Sequence, residues 1–168
     1  MVLISDQVVG SAVATVTFSS IPGTYSSLKL IMTSRCSSVA NADNIYIQAN
    51  GDTTSTYTSQ YIVATQTTVS AAFNAASNKS IFVGVPCASA TSNQAGSSEV
   101  TFTNYSSTVF NKQAIGSATY GSDNSGRIAW INAGWNWAST AAISSLTIGL
   151  VSGGNFITGS RLTLYGIN

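Results

Sequence analysis

Leu28-Lys29-Leu30-Ile31-Met32-Thr33 puts Leu28, Leu30 and Met32 on one side of an extended chain and Lys29, Ile31 and Thr33 on the other. The period of two recurs in both directions from there. Upstream, Ala14, Val16 and Phe18 oppose Thr15 and Thr17; downstream, Val100 and Phe102 oppose Thr101 and Thr103. Leu146, Ile148 and Leu150 share a face, as do Leu162 and Leu164. Thr, Val, Ile and Tyr crowd these runs, as a half-buried pleated surface requires. No segment repeats at 3.6 residues, so strands and not helices are predicted.

Turn signals separate the runs. Pro22-Gly23 predicts a type II turn, with Gly23 taking a positive φ. Asn50-Gly51, between Ile45–Ala49 and Tyr57–Ala64, predicts a hairpin with a primed turn. Gly121–Gly126 and Ser152–Asn155 read as loops, and Thr65–Asn78, rich in Ala, as a flexible loop with room for a helical turn. About ten short strands with turns every 8–12 residues predict an all-β fold, an antiparallel, jelly-roll-like β-sandwich. Residues 1–168 show no repeat, linker or break in composition, so a single domain is expected.

Composition narrows the chemistry. Only 7% of the residues are charged, the formal net charge is +1, and histidine is absent. Ser, Thr, Asn and Gln supply about two-fifths of the chain. Six Lys and Arg, scattered singly, cannot line a phosphate backbone, so no nucleic acid partner is expected. They read as edge protection and solubility, or as contacts to a neighbouring subunit. The aromatic content argues against disorder. No apolar run is long enough for a membrane span, and Met1–Asp6 lacks the basic start of a signal peptide.

Without histidine, Ser-His-Asp and Cys-His catalysis and most zinc sites fall away. The acids are Asp6, Asp43, Asp52, Glu99 and Asp123. Asp43 and Asp52 bracket one strand, which sets them about 30 Å apart when extended, too far for a glycosidase pair. Asp123-Asn124 favours an Asx-type turn over a calcium site, which wants several carboxylates. Neither catalytic residues, metal nor cofactor is expected. Cys36 and Cys87 read as two buried reduced thiols, with a disulfide as the alternative.

The strongest candidate site is Trp130, Trp135, Asn136 and Trp137. Indole faces beside an Asn amide suit a sugar platform, and the same groups suit burial in a core or a subunit interface. Packing is favoured over ligand binding. Trp130, alternating with Ile128, is expected in the core; Trp135 and Trp137 have one parity and point to one side.

Several segments together resemble a family of small virion proteins of tailed bacteriophages. They are Phe18-Ser19-Ser20-Ile21-Pro22-Gly23-Thr24-Tyr25 with the strand Leu28–Arg35, and the turn Asn50-Gly51-Asp52 with Tyr57 after it. Gly134-Trp135-Asn136-Trp137, Thr140-Ala141-Ala142-Ile143-Ser144-Ser145-Leu146, Gly153-Gly154-Asn155-Phe156, Gly159-Ser160 and Leu164-Tyr165-Gly166-Ile167 follow in order. Gln48-Ala49 stands where the family has Phe shortly before its turn.

The resemblance implies a structural protein and no enzyme. It points first to a capsid decoration (cement) protein, a homotrimer bound to the major capsid protein on the outer surface of the virion and made in the host cytoplasm. The alternative is a tail-fibre or receptor-binding head that holds host surface glycan. The low charge fits assembly, because Ser, Thr and Asn contacts avoid desolvating ions at each junction.

Overall fold

The computed structural model describes the backbone of all 168 residues and the side chains of all but Ile81, Phe82 and Val83. Twelve strands run in order: β1 (Val2–Val8), β2 (Thr15–Phe18), β3 (Ser27–Ser34), β4 (Ala42–Ala49), β5 (Tyr57–Thr65) and β6 (Thr68–Ser77). Then come β7 (Ser80–Pro86), β8 (Gly96–Thr103), β9 (Lys112–Gly121), β10 (Ile128–Trp137), β11 (Leu146–Leu150) and β12 (Arg161–Ile167). They form two antiparallel sheets of a sandwich, ordered β1-β12-β3-β8-β9-β10-β5-β6 and β2-β11-β4-β7. The chain crosses between the sheets several times but stays in the large sheet through β5-β6 and through the meander β8-β9-β10, and the sheets are unequal, eight strands against four.

The alternation in the sequence is the burial pattern of the strands. β3 buries Leu28, Leu30 and Met32, and β8 buries Val100 and Phe102. From the small sheet, Val16, Phe18, Ile45, Ile47, Leu146 and Ile148 meet them in one core cluster. Size is matched across strands: Trp135, Ala133 and Ile131 of β10 lie opposite Ala114, Gly116 and Ala118 of β9. Large beside small fills the layer at the density a protein interior requires.

Four expectations need correction. Thr65–Asn78 is no loop: β5 and β6 form a hairpin closed by Gln66-Thr67, with Gln66 at φ 55°. Its Ala-rich sequence carries no strong strand signal, and pairing with β5 decides the conformation. Asn50 and Gly51 do take the positive φ of a primed turn, at 53° and 67°. Yet the strands on either side do not pair, because β4 enters the small sheet and β5 the large one. The turn is a corner between sheets. Third, Gly23 is not in the left-handed region; Ser20, at φ 55°, bends the chain there instead.

The fourth concerns the cysteines, which are bonded to each other. Cys36 follows β3 of the large sheet and Cys87 follows β7 of the small one, with Cα atoms 4.4 Å apart. Cys36 N–H also donates to the Pro86 carbonyl at 2.9 Å. A separation of 51 residues hides this contact in the sequence. The topology brings both strand ends to one side of the sandwich, and the bond staples the sheets together there.

Two basic residues, the half-buried Arg35 and the buried Lys112, also bind carbonyls of their own chain. The Arg35 guanidinium donates to the carbonyls of Thr91, Gln94 and Ala90 at 2.8–3.0 Å and so shapes the loop after Cys87. Lys112 is 1% exposed, and its Nζ donates to the carbonyls of Phe110 and Thr140 at 2.7 and 3.2 Å. Burial pushes its pKa down.

Candidate functional site

β10 carries all four candidate residues, and its alternation divides them. Trp135 and Trp137 point inward and are 2% and 3% exposed. Trp130 has the other parity, points outward and is 44% exposed, which corrects its placement in the core. Asn136 is half-buried on the same outer face. The four residues therefore form no single cluster.

The inward pair belongs to a hydrogen-bonded corner. Trp137 Nε1 donates to Asp52 Oδ2 at 2.7 Å, and Trp135 Nε1 donates to the Ile47 carbonyl at 3.3 Å. Tyr57 stacks on Trp137 with ring centroids 6.3 Å apart, while Phe102 meets Trp135 edge-on at 5.4 Å. The Tyr57 hydroxyl accepts from Ala49 N–H at 2.9 Å and lies within donating distance of the Asp52 carbonyl. Burial pushes the Tyr57 pKa up to about 12. Asn50 accepts at Oδ1 from the N–H groups of Ser144 and Ser145, and its Nδ2 donates to the Ala142 carbonyl. Asn50-Gly51-Asp52, Tyr57, the Trp pair and the Thr-Ala-Ala-Ile segment thus clasp one another.

Other motifs meet in the same way. The ring of Tyr25 lies against Gly166, where a Cβ would come within 2.4 Å of it, so the aromatic near the start requires the glycine near the end. Tyr105 donates its hydroxyl to the Pro22 carbonyl. Both faces of the Trp135 and Trp137 rings are covered by the chain itself, leaving neither open to stack a sugar.

Asp52 holds this corner through its charge. Its carboxylate accepts from the Thr54 hydroxyl, the Trp137 indole, Thr54 N–H and the Thr56 hydroxyl. These donors, the Thr54 hydroxyl foremost, hold it far below its ordinary pKa of 3.8. A carboxylate depressed in the folded state adds stability above its unfolded pKa and loses it as the pH falls below that value. Urea unfolding at pH 7 and pH 3 should therefore show a drop in midpoint that is clearly smaller in Asp52→Asn. An equal drop in both proteins would assign the acid lability elsewhere.

The remaining acids are engaged separately. Asp6 makes a bidentate pair with Arg161 at 2.8 and 2.7 Å, and Glu99 pairs with Lys29 at 2.7 Å. Asp43 accepts from the Ser152 hydroxyl at 2.7 Å. Asp123 accepts from Ser125 N–H at 2.8 Å and Arg127 N–H at 3.2 Å, the geometry of an Asx turn. Among the described residues no three Cys, Asp or Glu come together as a metal site would need.

The outer face of the large sheet is divided. The β12-β3-β8 side carries the Lys29–Glu99 and Asp6–Arg161 pairs. The β9-β10-β5 side carries no charge on that face. Ile115, Ile128, Trp130 and Ile62 are all exposed there. Beside them Gly134 floors a shallow trough of about 340 Å³. Ile115 and Phe73 line it together with Gln60, Gln113 and Asn136.

Comparison with known proteins adds no relative. No family model and no curated protein matches the chain. Of the motifs quoted above, Asn50-Gly51-Asp52 with Tyr57, Gly134–Trp137 and Thr140–Leu146 build the corner. The outer face went unread in the sequence because its residues lie on four strands whose neighbours in space are distant in the chain. Parity was the one available signal: Ile128 and Trp130 alternate with the buried Ala129 and Ile131.

Proposed function

We propose that this chain is a bacteriophage virion structural protein, foremost a capsid decoration protein that binds the outer shell as a trimer and stabilises it. The observation that carries the proposal is the uncharged apolar half of the outer face. A soluble monomer rarely leaves an indole and several Ile side chains together in water, and such patches mark surfaces that another protein covers. The Cys36–Cys87 bond agrees with a particle that works outside the cell, since disulfides persist at virion surfaces and are rare in the cytosol. Stabilisation would follow from mass action: a ligand that binds only the assembled lattice lowers the free energy of that state.

Sedimentation with shells that lack the protein tests this. Wild type should pellet with shells, and Trp130→Lys, which burdens the apolar face with a buried charge, should lose at least tenfold in affinity while keeping its unfolding midpoint. Equal pelleting of both, or no pelleting of wild type, would exclude this docking face.

The trough favours one alternative, a tail-fibre or receptor-binding head for host surface glycan. Amides of Gln60, Gln113 and Asn136 beside Ile115 and Phe73 offer a sugar both hydrogen bonds and an apolar wall. Host polysaccharide that binds wild type but not Asn136→Ala would support it.

A further inference from the structure

The large sheet ends in two edges, and only one is defended. Edge strands offer unpaired N–H and C=O groups to any passing strand, and proteins blunt them with charge, proline, bulges or brevity. β1, at one end, carries Asp6 locked to Arg161 and a bulge between Leu3 and Ser5. In the small sheet, β2 has only four residues. β7 ends in Pro86, and its pairing with β4 is broken by a bulge.

β6 has none of these along its first six residues. It is ten residues long, and there is no Asp, Glu, Lys or Arg from Asp52 until Lys79. Pairing with β5 is regular from Thr68 to Asn74, the bulge coming only beyond. Both faces are open: Val69 and Phe73 are 70% and 65% exposed on the outer side, and Ser70 and Ala72 are exposed on the inner one. From Thr68 to Phe73 every residue of the strand is exposed.

We infer that β6 is a contact between copies of this chain, pairing antiparallel with β6 of a second copy about a two-fold axis at Ala71. The sequence is self-complementary about that residue. Val69 falls opposite Phe73 of the second copy, Ala71 opposite its own counterpart, Ser70 opposite Ala72, and Thr68 opposite Asn74. The two Val69–Phe73 pairs on the outer face each join an aliphatic to an aromatic side chain, a favourable cross-strand combination, with the small Ala71 pair between them, and the inner face carries only small or polar groups. A charged partner gains nothing on a strand without charge, whereas a second copy satisfies the free backbone groups between Thr68 and Asn74 with an equally neutral strand. The two large sheets become one continuous sheet.

This contact deepens the assembly role and rests on that reading only for where it operates. Being two-fold, it joins copies in pairs. If the protein is trimeric through another surface, β6 links one trimer to the next.

Single cysteines read the register, because the native cysteines are bonded to each other. Residues directly opposite across antiparallel strands have Cα atoms about 4.5–5.5 Å apart, which a disulfide spans. Ala71→Cys should therefore give a covalent dimer under mild oxidation at micromolar concentration. Thr68→Cys, about 20 Å from its counterpart in this register, should not. Light scattering should give wild type an even multiple of 17.3 kDa, and Val69→Lys half the wild-type mass with an unchanged circular dichroism spectrum. No Ala71→Cys dimer, equal linking by both variants, or a wild-type mass that Val69→Lys leaves unaltered would overturn the contact. Sedimentation with shells keeps the two proposals separate: a monomer that still pellets with shells loses the β6 contact alone, and a paired protein that does not pellet loses the decoration role alone.

Discussion

Trp135→Ala is expected to destabilise the protein by about 3–5 kcal/mol, the cost of emptying a large aromatic site in a packed core. Trp135 is 2% exposed, carries Tyr57 and Phe102 against its ring, and crosses from the large sheet to the Ile47 carbonyl of β4 in the small one. Its removal leaves a void beside Ala114 and takes away the indole bond to the Ile47 carbonyl, and small neighbours cannot refill the space. For a domain of this size each kcal/mol shifts the melting temperature by about 2–4 °C, so a fall of about 10 °C is anticipated. Trp130→Ala, five strand positions away on the open face, should change stability by no more than about 0.5 kcal/mol. Guanidinium unfolding followed by circular dichroism checks both. Similar costs for the two substitutions would contradict the opposite orientations assigned to these residues.

Loss of the Cys36–Cys87 bond is the second large effect. The bond closes a chain segment with a sequence separation of 51 and joins the two sheets at the ends of β3 and β7. Removing a cross-link of that span frees the unfolded chain and costs about 2–4 kcal/mol. Thermal melts with and without a thiol reductant should separate by about 5–15 °C for wild type. The Cys36→Ala/Cys87→Ala double variant should melt near the reduced wild type and ignore the reductant. If the reductant leaves wild type unchanged, the thiols are free and the bond no longer supports an extracellular particle.

The all-β fold was legible because burial alternates with period two wherever both layers are present. Leu28-Leu30-Met32 and Val100-Phe102 are buried with the parity the sequence assigns them. It failed at β6, which lacks apolar alternation and is exposed on both faces from Thr68 to Phe73, so its sequence resembles a loop although its backbone pairs with β5.

Asn50-Gly51 shows a different limit. Its φ angles were readable from the dipeptide, but whether the next strand returns beside β4 or crosses to the other sheet depends on Asn50 binding Ser144 and Ser145, far along the chain. The disulfide was hidden for the same reason.

Of the candidate site, parity alone could have told Trp130 from Trp135 and Trp137. A run of three Trp in eight positions drew attention to composition, and composition does not say which way a side chain points. The two buried indoles hold a corner made from several of the motifs that carry the phage resemblance. That is why those motifs speak for the fold more than for a task, although Gly134 and Asn136 also line the outer trough.

Localisation within assembled virions by electron microscopy, using antibody raised against this chain, tests the proposed role most directly. The decoration proposal predicts label spread over the outer capsid surface at regular lattice positions. Label confined to the tail tip would contradict it and leave the receptor-binding head in its place.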